Sequence, residues 1–269
     1  MTQTCLAFHD LTLGYASHPA VHHLGGVVRK GSLTAIVGAN GSGKSTLMKG
    51  VAGVLKPMEG RIERAADVRV AYLPQQSELD RAFPAQVIDL VSLGLWPRRG
   101  LLGRHTTKDR RSLQDALEAV GLAGFEKRPL DTLSGGQLQR ALFARVLVQD
   151  ADLILLDEPF NAIDAGTVHD LIGLIKRWHG ENRTVLVVAH DLDLVRRDFP
   201  ETLLLARRKV AWGNTADALR PENLERASRF HEAWEDNAPW CEPDGHGHLY
   251  PPAHEHGTHA SPAAEKAAV

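Results

Sequence analysis

A glycine-rich stretch that directly follows an apolar run constrains the fold of this chain more than any other feature. Residues 33–37 read Leu-Thr-Ala-Ile-Val, and residues 38–46 read Gly-Ala-Asn-Gly-Ser-Gly-Lys-Ser-Thr. This spacing of glycines, lysine and serine predicts a strand, a phosphate-binding turn and then a helix. Glycine lets backbone N–H groups approach a phosphate closely, and the start of a helix favours an anion. The candidate nucleotide-binding residues are therefore Gly38, Asn40, Gly41, Ser42, Gly43, Lys44, Ser45 and Thr46.

Two of these residues have side chains that suit a nucleoside triphosphate with Mg²⁺. In loops of this pattern the lysine reaches the β- and γ-phosphates, and the hydroxyl of the next residue holds Mg²⁺. Lys44 and Ser45 occupy these two positions. A chance glycine-rich turn is the alternative, and the apolar run before the turn argues against it.

The composition is that of an ordinary globular protein. The chain has 269 residues, of which 43% are hydrophobic and 24% charged, and this length allows one large domain or two small ones. The net charge of −2 gives no case for binding nucleic acid or an anionic membrane surface. Cys5 and Cys241 suit a reducing compartment better than a disulfide framework. We expect no signal peptide and no membrane-spanning segment, because no basic start and no sufficiently long apolar run occur.

The order of apolar runs predicts an α/β fold with a parallel sheet. Strand-like segments lie at 4–13, 24–37 (interrupted at Gly31), 68–73, 153–156 and 184–189, with an edge hairpin at 202–206 and 209–212. Helical patterns run from Ser45 to Gly53, through 84–149, and over 166–179 with Gly180 as the C-terminal cap. Residues 17–23 are predicted to be a polar loop and residues 56–60 a turn. Strands that alternate with helices are typical of a parallel sheet. The long helical region from residue 84 interrupts this alternation and is therefore interpreted as an insertion in the sheet.

A basic run lies inside this helical region. It comprises Arg98, Arg99, Arg104, Lys108, Arg110 and Arg111. Such a run could contact phosphates or lipid headgroups, but a solvated face beside a docking partner is the commoner structure.

A second candidate anion site lies at residues 133–137, which read Leu-Ser-Gly-Gly-Gln. Ser134 and Gln137 have the spacing of a capping box at the start of a helix. Gly135 and Gly136 leave the first N–H groups of that helix uncovered, so an anion could bind there. An ordinary helix start is the alternative reading of the same residues.

Together these motifs resemble those of the ATP-binding subunits of ABC transporters. The Leu-Ser-Gly-Gly-Gln segment lies between the glycine-rich loop and an apolar run that ends in Asp157-Glu158-Pro159, and His190 follows a later run. The resemblance covers residues 4 to about 220. It implies a P-loop NTPase core with a parallel sheet, an N-terminal antiparallel β subdomain and an inserted helical subdomain at about 77–149. The ATPase domain would span residues 1–238, and the His- and Pro-rich tail, residues 239–269, is predicted to be disordered.

The resemblance implies ATP and Mg²⁺ as cofactors and gives roles to individual residues. Asp157, Ser45 and Gln75 would hold the Mg²⁺ shell, and Glu158 would polarise the attacking water. His190 would touch the γ-phosphate, and a structural histidine at a strand end is the alternative. Lys44 would act in catalysis as well as in binding.

Other positions carry roles with open alternatives. Gln75 resembles a glutamine that senses Mg²⁺ and couples to the membrane subunit, and Gln76 beside it is a rival for that position. Tyr15 resembles an aromatic residue that stacks on adenine, and a core tyrosine is the alternative. Asp164 resembles a residue of the loop that crosses a dimer interface, where Asn161 departs from the commoner serine.

The family's mechanism requires two copies of the chain. Each ATP would lie between the glycine-rich loop of one copy and the Ser134 helix of the other, and hydrolysis would reopen this homodimer. The expected partners are membrane permease subunits that dock near Gln75 and the helical subdomain and, indirectly, an extracytoplasmic metal-binding protein. No nucleic-acid partner is expected. The chain would lie peripherally on the cytoplasmic face of the bacterial inner membrane.

The cargo is suggested by a softer resemblance. Residues 79–91, 102–104 and 133–140 are similar to those of bacterial zinc and manganese importers, with zinc favoured. An iron-chelate importer is an alternative, as are an exporter subunit and a non-transport ABC ATPase, although the chain has one module and no heptad run. The tail contains five closely spaced histidines: His246, His248, His254, His256 and His259. They are candidate Zn²⁺ ligands, because imidazole suits this metal. The alternative is that these histidines have no role.

Overall fold

Two β-sheets form the framework of the protein. The structure, a computed structural model, describes residues 3–16, 18–75, 84–100 and 104–235, with side chains up to residue 229. The antiparallel sheet has the order β2-β1-β4 and consists of β1 (Thr4–Tyr15), β2 (His18–Arg29) and β4 (Glu59–Arg64). The second sheet has the order β5-β6-β7-β3-β8-β9 and consists of β3 (Leu33–Val37), β5 (Val70–Leu73), β6 (Leu153–Leu156), β7 (Thr184–Val188), β8 (Glu201–Ala206) and β9 (Arg208–Asn214). Its strands are parallel except for β9, which pairs antiparallel with β8.

Helices lie between and after these strands. The described helices are α1 (Lys44–Val51), α2 (Val87–Ser92), α3 (Trp96–Arg99), α4 (Thr107–Ala119), α5 (Gly135–Gln149), α6 (Ala165–Gly180), α7 (Leu192–Asp198), α8 (Thr215–Ala218) and α9 (Pro221–Glu235). Side-chain caps fix five of the described helix starts: Thr106 before α4, Ser134 before α5, Asp164 before α6, Asp191 before α7 and Asn214 before α8. In the described part of the chain, no helix is long and apolar enough to cross a membrane.

The parallel sheet is buried on both faces. Every residue of β3, β6 and β7 is buried, as expected of parallel strands that are covered on both sides. Side chains of one face, such as Val37, Leu156 and Val187, pack with the helices that include α5 and α6. Side chains of the other face, such as Ile36 and Leu155, pack with the antiparallel sheet and α1. The sheet therefore has little freedom to shift its register.

The predicted α/β fold with a helical insertion is confirmed. Between β5 and β6 the described residues form α2 to α5 and two short 3₁₀ turns, and β8 and β9 form the predicted edge hairpin. The predicted interruption at Gly31 is also confirmed, because Gly31 lies in the turn between β2 and β3 with φ 72°.

Some sequence-based boundaries were wrong. The predicted polar loop at 17–23 is largely strand, because β2 begins at His18 and pairs with β1 along its length. The turn predicted at 56–60 is shorter than expected, because β4 begins at Glu59. This strand was not predicted, since its residues are mostly polar and exposed. Gly180 lies inside α6 and Glu181 takes the capping position. Helix α1 stops at Val51 rather than Gly53. The tail, Gln76 and part of the segment at 79–91 lie outside the described residues.

A buried histidine in β2 makes stability depend on pH. His22 is 2% exposed, and its backbone N–H donates to the Arg207 carbonyl at 2.7 Å. Burial, reinforced by the nearby charges of Arg208, His23 and Arg207, lowers the pKa of His22 from 6.5 to about 4. The unfolded chain therefore takes up this proton first, so that the stabilisation present above pH 6.5 is lost as the pH falls towards 4.

We expect the free energy of unfolding to fall by about 2 kcal/mol more between pH 7.5 and pH 5 in the wild type than in the His22→Gln variant. The measurement is urea unfolding of both proteins at each pH. Equal losses in the two proteins would contradict this origin of the pH dependence.

Candidate functional site

The glycine-rich loop between β3 and α1 requires glycine for steric reasons. Gly41 and Gly43 have φ of 76° and 94°, a region that side chains disfavour. A Cβ atom on Gly43 would collide with the backbone oxygen of Ala20 in β2, and one on Gly38 with that of Leu205 in β8. The loop is therefore held against two neighbouring strands, and its backbone shape is fixed.

Lys44 is folded back onto this loop. It is 5% exposed, and its ammonium group donates to the carbonyl oxygens of Gly38 at 2.9 Å and Ala39 at 2.8 Å. Burial lowers the Lys44 pKa, while the charges of Glu158 and Asp157 act to raise it. A buried cation whose partners are loop carbonyls is suited to exchange them for anionic oxygens.

Ser42 adds a second donor in the same loop. Its side-chain hydroxyl is buried and forms no hydrogen bond with any residue in the described part of the chain. A buried hydroxyl without a partner is costly and rare in proteins. Together with Lys44, it shows that the loop fits a group that brings its own acceptor oxygens, as a phosphate does.

Asp157 lies at the end of β6 and meets the start of α1. The Ser45 hydroxyl donates to Asp157 Oδ1 at 3.1 Å, and the Tyr72 hydroxyl donates to Oδ2 at 3.4 Å. Hydroxyl and carboxylate oxygens are the hard ligands that Mg²⁺ prefers. Ser45 and Asp157 are therefore placed to hold Mg²⁺ beside the loop.

Glu158 is contacted from three directions. The Gln75 amide donates to Glu158 Oε2 at 2.7 Å, and Nε2 of His190 lies 2.7 Å from Oε1. Asn161 also donates to Oε2, at 3.3 Å. The Glu158 side chain is 12% exposed, and its backbone has a φ of 51°, in the left-handed region. These contacts fix a carboxylate next to the Asp157 and Ser45 pair.

Sheet order explains why residues so far apart in sequence converge. Gln75 follows β5, Asp157 and Glu158 follow β6, His190 follows β7, and the glycine-rich loop follows β3. These four strands are adjacent and parallel. Because the carboxyl ends of parallel strands lie at one edge of a sheet, their loops form a single site.

Tyr15 lies at the end of β1, on the hairpin that abuts the loop. In this hairpin Gly14 pairs with Pro19. The carbonyl of the next residue, Ala20, faces Gly43 of the loop. Tyr15 is 50% exposed, which excludes the alternative of a core tyrosine. An exposed ring on this hairpin is available for stacking.

The Ser134 helix start forms a second group of predicted residues. Ser134 and Gln137 make the predicted capping box, and Asp164 caps α6 by accepting from the Thr167 N–H at 2.9 Å. A Cβ on Gly136 would lie 3.3 Å from Asp164 Oδ2. The structure therefore brings the starts of α5 and α6 together, with Gly135 and Gly136 between them only partly buried.

Two contributors to the site were missed from sequence. Tyr72 reaches Asp157, and Arg145 of α5 donates to the Tyr72 carbonyl oxygen at 3.1 Å. Burial lowers the Arg145 pKa. Tyr72 lies in an apolar strand pattern and Arg145 in an apolar helix pattern, so no local signal indicates that their polar atoms contact this region.

A family comparison agrees with this geometry. The family model described as ABC transporter matches residues 21–161. The chain belongs to the ABC transporter ATP-binding family. Members of this family are ATPases that are coupled to transport.

Individual relatives extend the match beyond the family model. The chain is 39% identical over 228 residues to the manganese transport system ATP-binding protein MntB of Listeria monocytogenes, which covers 82% of this chain and 95% of that protein. It is 40% identical over 227 residues to the zinc transport system ATP-binding protein TroB of Treponema pallidum, with 81% and 84% covered. A solved transporter described as of metal-chelate type, in an inward-facing conformation, matches with a TM-score of 0.76 and 29% identity over 84% of this chain and 90% of that one.

Proposed function

We propose that this chain is the ATP-hydrolysing subunit of an importer for a divalent metal ion, with zinc first and manganese next. The assignment of the cargo rests on the identity of about 40% to subunits whose names specify zinc and manganese transport. An iron-chelate importer is the main alternative, since the solved transporter with the similar fold is of metal-chelate type.

We assign nucleotide binding to the loop of residues 38–46 and to Tyr15. The backbone N–H groups of the loop, Lys44 and the Ser42 hydroxyl would bind the phosphates, which supply the acceptor oxygens that Ser42 lacks among the described residues. The exposed Tyr15 ring would stack on adenine. Thr46, at the start of α1, completes the phosphate side of this assignment.

Ser45, Asp157 and Gln75 would hold Mg²⁺, and Glu158 would accept the proton of the attacking water. When bound, Mg²⁺ neutralises charge on the phosphate oxygens. The Glu158 carboxylate is positioned for a base, because Gln75 and His190 each hold one of its oxygens at 2.7 Å. His190, whose side chain is 41% exposed, can turn from Glu158 towards a γ-phosphate.

We further propose that the chain works as a homodimer on the cytoplasmic face of the membrane. The exposed Ser134 helix start and the neighbouring Asp164 would complete the nucleotide site of a second copy. Permease subunits would dock near Gln75 and the helices between β5 and β6. The domain would span residues 1–238, with the helical subdomain at about 77–149, and the His- and Pro-rich tail would follow it.

A matched pair of variants separates binding from hydrolysis. We expect Lys44→Ala to weaken ATP binding at least tenfold, because the phosphates lose their buried cation. We expect Glu158→Gln to retain binding but to lower kcat by roughly 100-fold or more, because the amide cannot accept a proton. Fluorescent-nucleotide titration and phosphate release measure the two effects. Full hydrolysis by Glu158→Gln would remove Glu158 from its role.

Deletion of the gene in its own host tests the cargo. We expect cells grown under metal limitation to lose zinc selectively, as measured by mass spectrometry of cell-associated zinc, manganese and iron. A Glu158→Gln copy should fail to restore the zinc, whereas the wild-type copy should restore it. Loss of manganese or iron instead would reassign the cargo to that metal and would not affect the assignment as an ATPase.

The histidine-rich tail is assigned a metal-binding role. His246, His248, His254, His256 and His259 include two His-x-His pairs, and imidazole suits zinc. We propose that the tail binds Zn²⁺ weakly and senses or buffers the cargo.

Zinc titration of the full chain and of a chain that ends at residue 238 tests this role. We expect only the full chain to bind Zn²⁺ at roughly micromolar concentration, by isothermal calorimetry. Equal binding by both chains, or none below roughly millimolar Zn²⁺, would reject a role for the tail.

A further inference from the structure

The turn after β6 carries its own hydrogen-bond donor to Glu158. The Asn161 side-chain amide donates to Glu158 Oε2 at 3.3 Å, and the Asn161 backbone N–H donates to the Glu158 carbonyl at 3.3 Å. Two residues of this turn, Glu158 and Ala162, have left-handed φ of 51° and 55°. Such backbone is costly for residues other than glycine and persists where the surroundings determine it. The turn thus brings the Asn161 amide back onto the carboxylate.

The three donors to Glu158 differ in where they are attached. Gln75 and His190 follow other strands, β5 and β7, whereas Asn161 lies in the same turn as Glu158. Gln75 and Asn161 share Oε2, and His190 faces Oε1. In the proposed function, Gln75 turns to Mg²⁺ and His190 to the γ-phosphate. The local donor, Asn161, is then the one that stays with the carboxylate.

The chemistry of the amide suits this task. An asparagine N–H donates to a carboxylate without bringing a charge, so it fixes the direction of one oxygen and leaves the other able to accept a proton. A lysine or arginine in its place would neutralise the carboxylate as well as orient it.

We propose that Asn161 is a positioning residue for Glu158, which holds Oε2 so that Oε1 is aimed at the attacking water once Gln75 and His190 have changed partners. This inference rests on the proposed function of Glu158. It gives a task to a position at which the chain departs from the serine that its sequence resemblance leads one to expect.

The contact itself is tested without nucleotide by a double-mutant cycle on thermal unfolding of the full chain. We expect Asn161→Asp to lower the Tm by roughly 3 °C, because the new carboxylate faces Glu158. In a Glu158→Gln background the same change should cost less than about 1 °C, because the amide can donate to the new carboxylate. Asn214→Asp adds the same charge at the exposed cap of α8. We expect this control substitution to change the Tm by the same amount in both backgrounds. An equal cost of Asn161→Asp in both backgrounds would overturn the contact.

Hydrolysis tests the consequence. We expect Asn161→Ala to lower kcat by roughly tenfold with KM for ATP within about twofold of wild type, because the base is misaimed while the binding loop is intact. Asn161→Asp should lower kcat further, and Asn214→Asp should leave it unchanged. A kcat for Asn161→Ala within about twofold of wild type would reject the positioning role. Full activity of Glu158→Gln would instead reject the function of Glu158, and the unfolding cycle would still report on the contact.

Discussion

The site depends on the register of four adjacent parallel strands, β5, β6, β7 and β3. Their pairing continues past the strand ends, where the Asp157 N–H donates to the Leu73 carbonyl at 2.9 Å and the Ala189 N–H donates to the Ile36 carbonyl at 3.2 Å. A slip of one residue would turn every side chain to the opposite face. Because both faces are buried in different hydrophobic clusters, such a slip would expose apolar side chains throughout the sheet. The core therefore fixes the positions of Asp157 and Glu158 before any ligand does.

The features that sequence predicted well share a physical cause. Fully apolar runs such as 153–156 and 185–188 have one stable environment, a doubly covered parallel sheet, so the fold class followed directly. The glycine positions followed from the backbone that a phosphate loop requires. The motif residues then fell at strand ends, where the topology brought Gln75, Glu158 and His190 within hydrogen-bond distance.

What sequence missed was decided by contacts between distant segments. Strand β2 begins with His-Pro-Ala, which has no alternating apolar pattern, and is stabilised by its pairing with β1. The Tyr72 hydroxyl reaches a carboxylate 85 residues away, which no local pattern encodes. The polar strand β4 is held by pairing with β1 and exposes most of its side chains. In each case the partner, rather than the residue itself, determines the structure.

The close approach of Gly43 to Ala20 has a consequence for how a nucleotide would be released. A Cβ atom at residue 43 would collide with the Ala20 carbonyl oxygen, so the hairpin with Tyr15 is packed tightly against the phosphate loop. The base of a bound nucleotide would contact the hairpin and its phosphates would contact the loop, so both ends would be held by packed segments of the same copy. In the proposed homodimer, separation of the two copies would therefore leave each nucleotide bound to one copy, and only its contact with the Ser134 helix of the other copy would be lost.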